Sequence, residues 1–90
     1  MFENLEQLIK TIRERKNSSP ENSYTSKLLN DKNLSVAKVK EEVKELIESI
    51  EKNSNKIHEA ADVIYHLMVY LEANNIKIED VMNELKKRQK

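Results

Sequence analysis

No glycine occurs among the 90 residues. Rossmann fingerprints, Walker loops and kinase glycine-rich loops need backbone positions that glycine serves best, so phosphate handling through any of them is excluded. A phosphate would have to be held by side chains, helix N-termini or metal ions. Cysteine is also absent, which removes disulfides, thiolate metal sites and cysteine nucleophiles and leaves the redox compartment open. Neither sign of charge is in excess. With 16 basic and 16 acidic residues the net charge is zero, so no bulk attraction to nucleic acid or to an anionic membrane is expected. Long apolar runs are missing too: Met1 to Lys10 carries Glu3 and Glu6 among its apolar residues, unlike a signal peptide or a membrane span, and a cytoplasmic protein is the default. What is present is 38% hydrophobic residues in one small domain spanning 1–90, enough for a helical bundle, with a core so thin that a helical dimer would relieve it.

Periodicity predicts four helices and a shorter fifth. Phe2, Leu5, Leu8, Ile9 and Ile12 recur at helical spacing and predict a helix from Phe2 to about Arg15. Its basic end, Arg13, Arg15 and Lys16, suits the negative pole of the helix dipole, and the plainest reading leaves these cations in water. Ser19 before Pro20 and Glu21 resembles an N-cap followed by proline at the first helical position, predicting a short helix from Pro20 to about Leu29. Its hydroxyls, flanking cations and leading N–H groups could contact phosphates.

After a polar break at 30–33, a long helix is expected to about Lys52, capped by Asn33 or Ser35, with Val36, Val39, Val43, Leu46, Ile47 and Ile50 as its apolar stripe. Asn53-Ser54-Asn55 is a turn in which asparagine can take the left-handed position glycine usually fills, making an antiparallel hairpin with a helix from about Lys56 to Asn74. That helix carries Ile57, Ala60, Ala61, Ile64, Leu67, Met68 and Leu71 on one side and Val63, Val69, Tyr70 and Ala73 on the other. A helix apolar nearly all round is buried on both sides, which implies a partner subunit. A last helix, Ile78 to Arg88, ends in Lys86, Lys87, Arg88 and Lys90. The expectation is an all-α fold: an antiparallel hairpin with flanking helices, forming a dimeric bundle.

The chemistry lies between Lys38 and His66. Lys38, Glu42 and Glu45 line up beside the apolar stripe of the first hairpin helix, with Glu41 further round, and Glu59, Asp62 and His66 share a stripe of the second. A Glu-x-x-Glu pair in a lysine-rich helix usually marks a solvated face. Glu59 and Asp62 are different: no lysine or arginine occurs between Lys56 and Lys77, and burying two carboxylates there without partners would be costly. A functional site is favoured there over an internal salt bridge. His66 alone is more often a satisfied interior histidine than a ligand, and Tyr65 and Tyr70 read as packing residues with a polar tip. Neither carboxylate pair has the Glu-x-x-His of di-iron bundles. An all-oxygen set of four points to Mg²⁺ or Mn²⁺ and to metal-assisted hydrolysis of a phosphoanhydride. Glu41 or Glu45 could then orient or deprotonate the attacking water, and Lys38 could stabilise the leaving pyrophosphate.

Glu41-Glu42-x-x-Glu45 followed by Glu59-x-x-Asp62 is similar to the pattern of the all-α, MazG-like nucleoside triphosphate pyrophosphohydrolases. Arg15-Lys16 before Pro20-Glu21-x-Ser23-Tyr24-Thr25-x-x-Leu28, Lys38-Val39, Glu59-Ala60-Ala61-Asp62-Val63-Ile64-Tyr65-His66-Leu67 and Val81-x-x-Glu84-Leu85-x-x-Arg88 narrow the match. From about Leu5 to Arg88 the chain resembles the phosphoribosyl-ATP pyrophosphatases of histidine biosynthesis. The resemblance implies Mg²⁺-dependent cleavage of the α–β phosphoanhydride of phosphoribosyl-ATP by a homodimer. It implies Glu42, Glu45, Glu59 and Asp62 as metal ligands and Glu41 as a supporting carboxylate. Lys38, Arg15, Lys16, Ser23, Tyr24, Thr25 and His66 become substrate contacts by the same resemblance. Lys40 stands where the family usually has glycine and would either crowd the site or face solvent. A fused cyclohydrolase is not expected, for want of length and of its zinc-binding cysteines. Two rival readings are a housekeeping nucleotide pyrophosphohydrolase and a non-catalytic helical dimer whose carboxylates form salt bridges.

Overall fold

The structure, a computed structural model, describes residues 1–89. Within them the chain is all-helical: α1 (Glu3–Arg15), α2 (Tyr24–Leu29), α3 (Lys32–Lys52), α4 (Lys56–Ala73) and α5 (Ile78–Arg88). Lys90, which was expected to extend the basic end of the last helix, lies outside the described residues. The most extensive packing is between α3 and α4, and α1 and α2 lie against α4.

Two asparagines do the work that the missing glycines would do. Asn53 (φ 54°) and Asn75 (φ 59°) occupy the left-handed region. After α3, the Ser54 N–H donates to the Ser49 carbonyl at 2.9 Å and the Asn53 N–H to that of Ile50 at 3.2 Å. After α4, Ile76 and Asn75 repeat the pattern on Leu71 and Glu72, at 2.9 and 3.1 Å. Both are Schellman closures, which satisfy the last carbonyls of a helix and reverse the chain. The short Asn53–Asn55 link therefore folds α4 back along α3 as the expected antiparallel hairpin.

The helix starts differ from the sequence expectation. Residues 17–23 are turns and extended backbone, and α2 begins at Tyr24 rather than at Pro20. Its cap is Ser23, whose Oγ accepts from the Ser26 N–H at 3.2 Å. Ser19 instead closes a local turn, accepting from the Glu21 N–H at 3.3 Å. The cap of α3 is Asp31, which accepts from the Leu34 N–H at 3.0 Å, rather than Asn33 or Ser35. Aspartate also places a negative charge at the positive end of the helix, which an asparagine or serine cannot.

The fully buried core is small: Ile12, Leu28 and Val69, with Leu8, Leu29, Leu34, Tyr65 and Met68 packed around them. It joins α1, α2 and α4. Along α4 the inward stripe is His66, Val69 and Ala73, at spacings of three and four. Along α3 the buried side chains are Ser35, Glu42 and Ser49, all polar. The apolar stripe of α3 is covered only in part: Val36, Val39 and Leu46 are half-buried, whereas Val43, Ile47 and Ile50 are exposed, the last two by 53% and 57%. On α4, Ile57 is 88% exposed, and Ile64 and Leu67 are also open to solvent. The hairpin closes on its carboxylates and turns much of its hydrocarbon outward.

Candidate metal and phosphate site

The four carboxylates of the paired pattern come from both arms of the hairpin. Burial first, and then the negative charges of Glu45 and Asp62, raise the carboxyl pKa of both Glu42 and Glu59. Glu42 and Glu45 on α3 are thus near enough to Glu59 and Asp62 on α4 for their charges to be felt across the hairpin. Glu42 is only 9% exposed, and loss of hydration is the first cause of its upward shift. Loss of hydration also leads for half-buried Glu59. One oxygen of each, Oε2, is shut off from solvent with no hydrogen-bond partner among the described residues. Buried carboxylate oxygens are normally paired, so two such orphans in one acidic cluster fit a cation rather than a salt bridge. All four principal donors are oxygen, the set preferred by Mg²⁺ and Mn²⁺.

Two groups of side chains bring ligand atoms within 4.8 Å of one another: Glu41, Glu42 and Glu45 on α3, and His58, Glu59 and Asp62 on α4. His58 is the addition. Its Nε2 lies 3.3 Å from Asp62 Oδ2, an i,i+4 contact on the exposed side of α4. That spacing is visible in the sequence, but His58 lies outside the Glu-x-x-Asp pattern.

Lys38 Nζ lies 3.2 Å from Glu41 Oε2, and this partner is the main reason that its pKa is raised. The cation and the outermost carboxylate of the site are therefore held as a pair at its mouth. Lys40, in the glycine position of the pattern, is exposed and faces solvent.

The segment that opens α2 is tied to α4 by two adjacent contacts. Tyr24 Oη lies 3.2 Å from His66 Nε2, and Thr25 Oγ1 lies 2.5 Å from Tyr65 Oη. His66 Nδ1 is 2.9 Å from the Asp62 carbonyl oxygen. Tyr65, read as a packing residue with a polar tip, does pack on the core and places that tip on Thr25. Ser23 uses its hydroxyl as the α2 cap.

The basic cluster divides. Arg15 is exposed, whereas Lys16 Nζ pairs with Glu72 at 2.8 Å. Arg13 makes a two-pronged contact with Glu79, at 2.9 and 2.6 Å, and approaches Glu72 at 3.6 Å. The expectation that all three cations only cap α1 is therefore replaced by a network joining α1, the end of α4 and the start of α5. Glu72 and Glu79, sequence-distant from α1, carried no signal that would have exposed it.

Comparison with known proteins adds an independent line. The family described as phosphoribosyl-ATP pyrophosphohydrolase matches residues 5–89. A phosphoribosyl-ATP pyrophosphatase of Clostridium novyi is 45% identical, covering 96% of this chain and 81% of its own length. The histidine biosynthesis trifunctional protein of Kluyveromyces lactis is 44% identical over 87% of this chain, which spans 10% of that protein. A histidine biosynthesis bifunctional protein of Pyrococcus furiosus is 41% identical over 96% of this chain, which spans 41% of it. No solved structure matches significantly.

Proposed function

The chain belongs to the phosphoribosyl-ATP pyrophosphohydrolase family, and from that premise we propose that it hydrolyses phosphoribosyl-ATP to phosphoribosyl-AMP and pyrophosphate in histidine biosynthesis. The structural observation that carries a hydrolytic reading, against a purely structural one, is the unpartnered buried oxygen of Glu42 among three further carboxylates. A protein that used these groups for salt bridges would place cations against the buried oxygens of Glu42 and Glu59. Among the described residues, Lys38 pairs with Glu41 and His58 with Asp62, and neither partners those oxygens.

Glu42, Glu45, Glu59 and Asp62 are the residues that would hold Mg²⁺, with Mn²⁺ as a substitute. When bound, the ion supplies neutralisation of the charge that develops on the phosphoanhydride. Glu41 is the proton acceptor for the attacking water in this reading, being exposed and oriented through Oε2 by Lys38. Lys38 then meets the leaving pyrophosphate from the same edge. Arg15, exposed, supplies positive charge beside the 17–23 segment, with Lys16 next to it held by Glu72, and Ser23, Tyr24, Thr25 and His66 form the side of the site that takes the rest of the substrate.

The same reading includes a homodimer, supported by the outward apolar face of α3 and α4, and a single catalytic domain over residues 1–90 working in the cytoplasm. No helix among the described residues is long and apolar enough to cross a membrane. The test is pyrophosphate release from phosphoribosyl-ATP with and without Mg²⁺, comparing the wild type with Glu59→Gln and with ATP as a competitor. Release that requires both Mg²⁺ and Glu59 and prefers phosphoribosyl-ATP is expected. Equal cleavage of ordinary nucleotides would assign a housekeeping role, and no release from either would return the protein to a structural one.

A further inference from the structure

His58 borders the carboxylate site, and neither the Glu-x-x-Glu nor the Glu-x-x-Asp pattern accounts for it. Its side chain is 72% exposed, yet Nε2 lies 3.3 Å from Asp62 Oδ2, four residues along the same helix. As a fastener for α4 such an exposed pair is worth little. The spacing has a second use. Side chains at i and i+4 stand one above the other on a helix, which is how two donors of one helix converge on a single ion. Two donors each about 2.1 Å from an ion, at angles of about 90–110°, lie roughly 3.0–3.4 Å apart. The His58–Asp62 separation falls in that range. Glu59 completes the group: one donor atom from each of His58, Glu59 and Asp62 lies within 4.8 Å of the other two.

An independent sign of a cation comes from the carboxylates themselves. Glu59 Oε2 is shut off from solvent with no hydrogen-bond partner among the described residues, and Glu42, only 9% exposed, leaves a second such oxygen in the same site. No lysine or arginine occurs between Lys56 and Lys77 to answer them from α4. His58 pairs with Asp62 and leaves the Glu59 oxygen unpartnered, so an ion is what all three can share. The other histidine does not compete for it: His66 lies 2.9 Å from the Asp62 carbonyl through Nδ1 and 3.2 Å from Tyr24 Oη through Nε2, so both ring nitrogens are engaged within the fold. The matching trio on α3, Glu41, Glu42 and Glu45, offers oxygen alone. The two arms of the hairpin thus differ in chemistry, with hard oxygen donors on one and a nitrogen among the donors of the other.

Resting on the metal-dependent function proposed above, we infer that His58 is a nitrogen ligand that shares an ion of the site with Glu59 and Asp62, and that it shifts this chain's choice of metal from Mg²⁺ toward first-row transition ions. Mg²⁺ binds through oxygen and gives up its water reluctantly, so it gains little from an imidazole. Transition ions accept one readily, and along the series Mn²⁺, Fe²⁺, Co²⁺ the affinity of such a site rises, which makes Co²⁺ a sensitive probe. The four carboxylates keep their places in the site, and His58 decides which ion they hold best.

Two measurements test this without substrate. Calorimetric titration of Co²⁺ and of Mg²⁺ into metal-free wild type and His58→Gln reads the selectivity; the substitution lies at an exposed position, and the variant should melt like the wild type in chelator. It should weaken Co²⁺ by about tenfold or more and Mg²⁺ by less than about twofold. Pulsed electron paramagnetic resonance of the Mn²⁺-loaded protein reads the bond itself: the wild type should show coupling of the ion to a directly bound imidazole nitrogen, and His58→Gln should not. Equal weakening of both ions would make His58 a partner of Asp62 by charge alone and overturn the inference. Unchanged Co²⁺ affinity, no nitrogen coupling in the wild type, or coupling that survives His58→Gln would overturn it too. If the wild type binds no divalent ion, the metal-dependent reading itself fails; if it binds both and His58→Gln keeps the wild-type preference, only this inference falls.

Discussion

Glu42 shows how a single carboxylate can weaken a fold and equip it. Burial and the charges of Glu45 and Asp62 hold its pKa above the usual carboxylate value of 4.5, so folding favours its protonated form. Its stabilising contribution is complete below that value and lost as pH rises through the raised one. Glu59 has the same sign. Metal-free protein should therefore lose stability from these groups as pH climbs from 4.5 toward neutrality, and Mg²⁺, which favours the ionised forms, should restore it. Glu42→Gln removes an unpaired buried charge. It should raise the metal-free melting temperature by roughly 4–8 °C, for a gain on the order of 1 kcal/mol, while shrinking the Mg²⁺-induced rise. Melting curves across pH in chelator and in excess Mg²⁺ would check both, and a variant less stable than wild type without metal would contradict the account. Serine cannot replace His66 in a comparable way, because the ring fixes Tyr24 as well as filling buried space.

Among the elements, the helices and the hairpin could be read from the 3.6-residue period and from the asparagine turns, because those are local properties. Replacing Asn53 tests the turn: Ala at φ 54° should cost about 1–2 kcal/mol and Gly little or nothing, as measured by urea denaturation. The candidate carboxylates were equally legible, since their spacing along α3 and α4 set them on one line. Which side of α3 faces α4 was not. Periodicity shows that two stripes exist, one apolar and one acidic, but not how far each turns toward the other arm: Glu42, expected at the edge of the buried face, is itself buried, while Val43, Ile47 and Ile50 are open. The position of α5 was illegible for a related reason, being set by ion pairs between distant residues. No side chain of α5 is fully buried, and Glu79, at its start, is gripped by Arg13, which pulls its pKa down to about 2. A depressed carboxylate stabilises above its ordinary pKa and loses that contribution as pH falls, here between 4.5 and about 2. Amide exchange in α5 should accelerate selectively over that acid range, and Glu79→Gln should make it fast at neutral pH too. If exchange in α5 tracks that of α4 in both proteins, the ion pair does not anchor the helix.

At the scale of the whole molecule, the distribution of hydrocarbon is the main unsolved tension. Three fully buried apolar side chains form the central cluster, while Val43, Ile47, Ile50, Ile57, Ile64 and Leu67 remain open to water along the hairpin. A chain of this length buries too little surface to tolerate such exposure easily, and contiguous apolar faces of this kind are commonly covered by another protein surface. A second copy is the simplest cover, since a two-fold pairing places the same stripe against itself and needs no further component. If the homodimer forms, the melting temperature should rise with protein concentration, and light scattering should give twice the chain mass of 10.6 kDa. Ile47→Glu places a charge in the middle of the exposed α3 stripe and should produce a monomer with a lower, concentration-independent melting temperature. Lys40→Glu, on the same helix at a solvent-facing position, should leave the assembly intact. A wild-type protein that is monomeric at all concentrations, or an Ile47→Glu variant that remains a dimer, would mean that this face is covered by something else or by nothing.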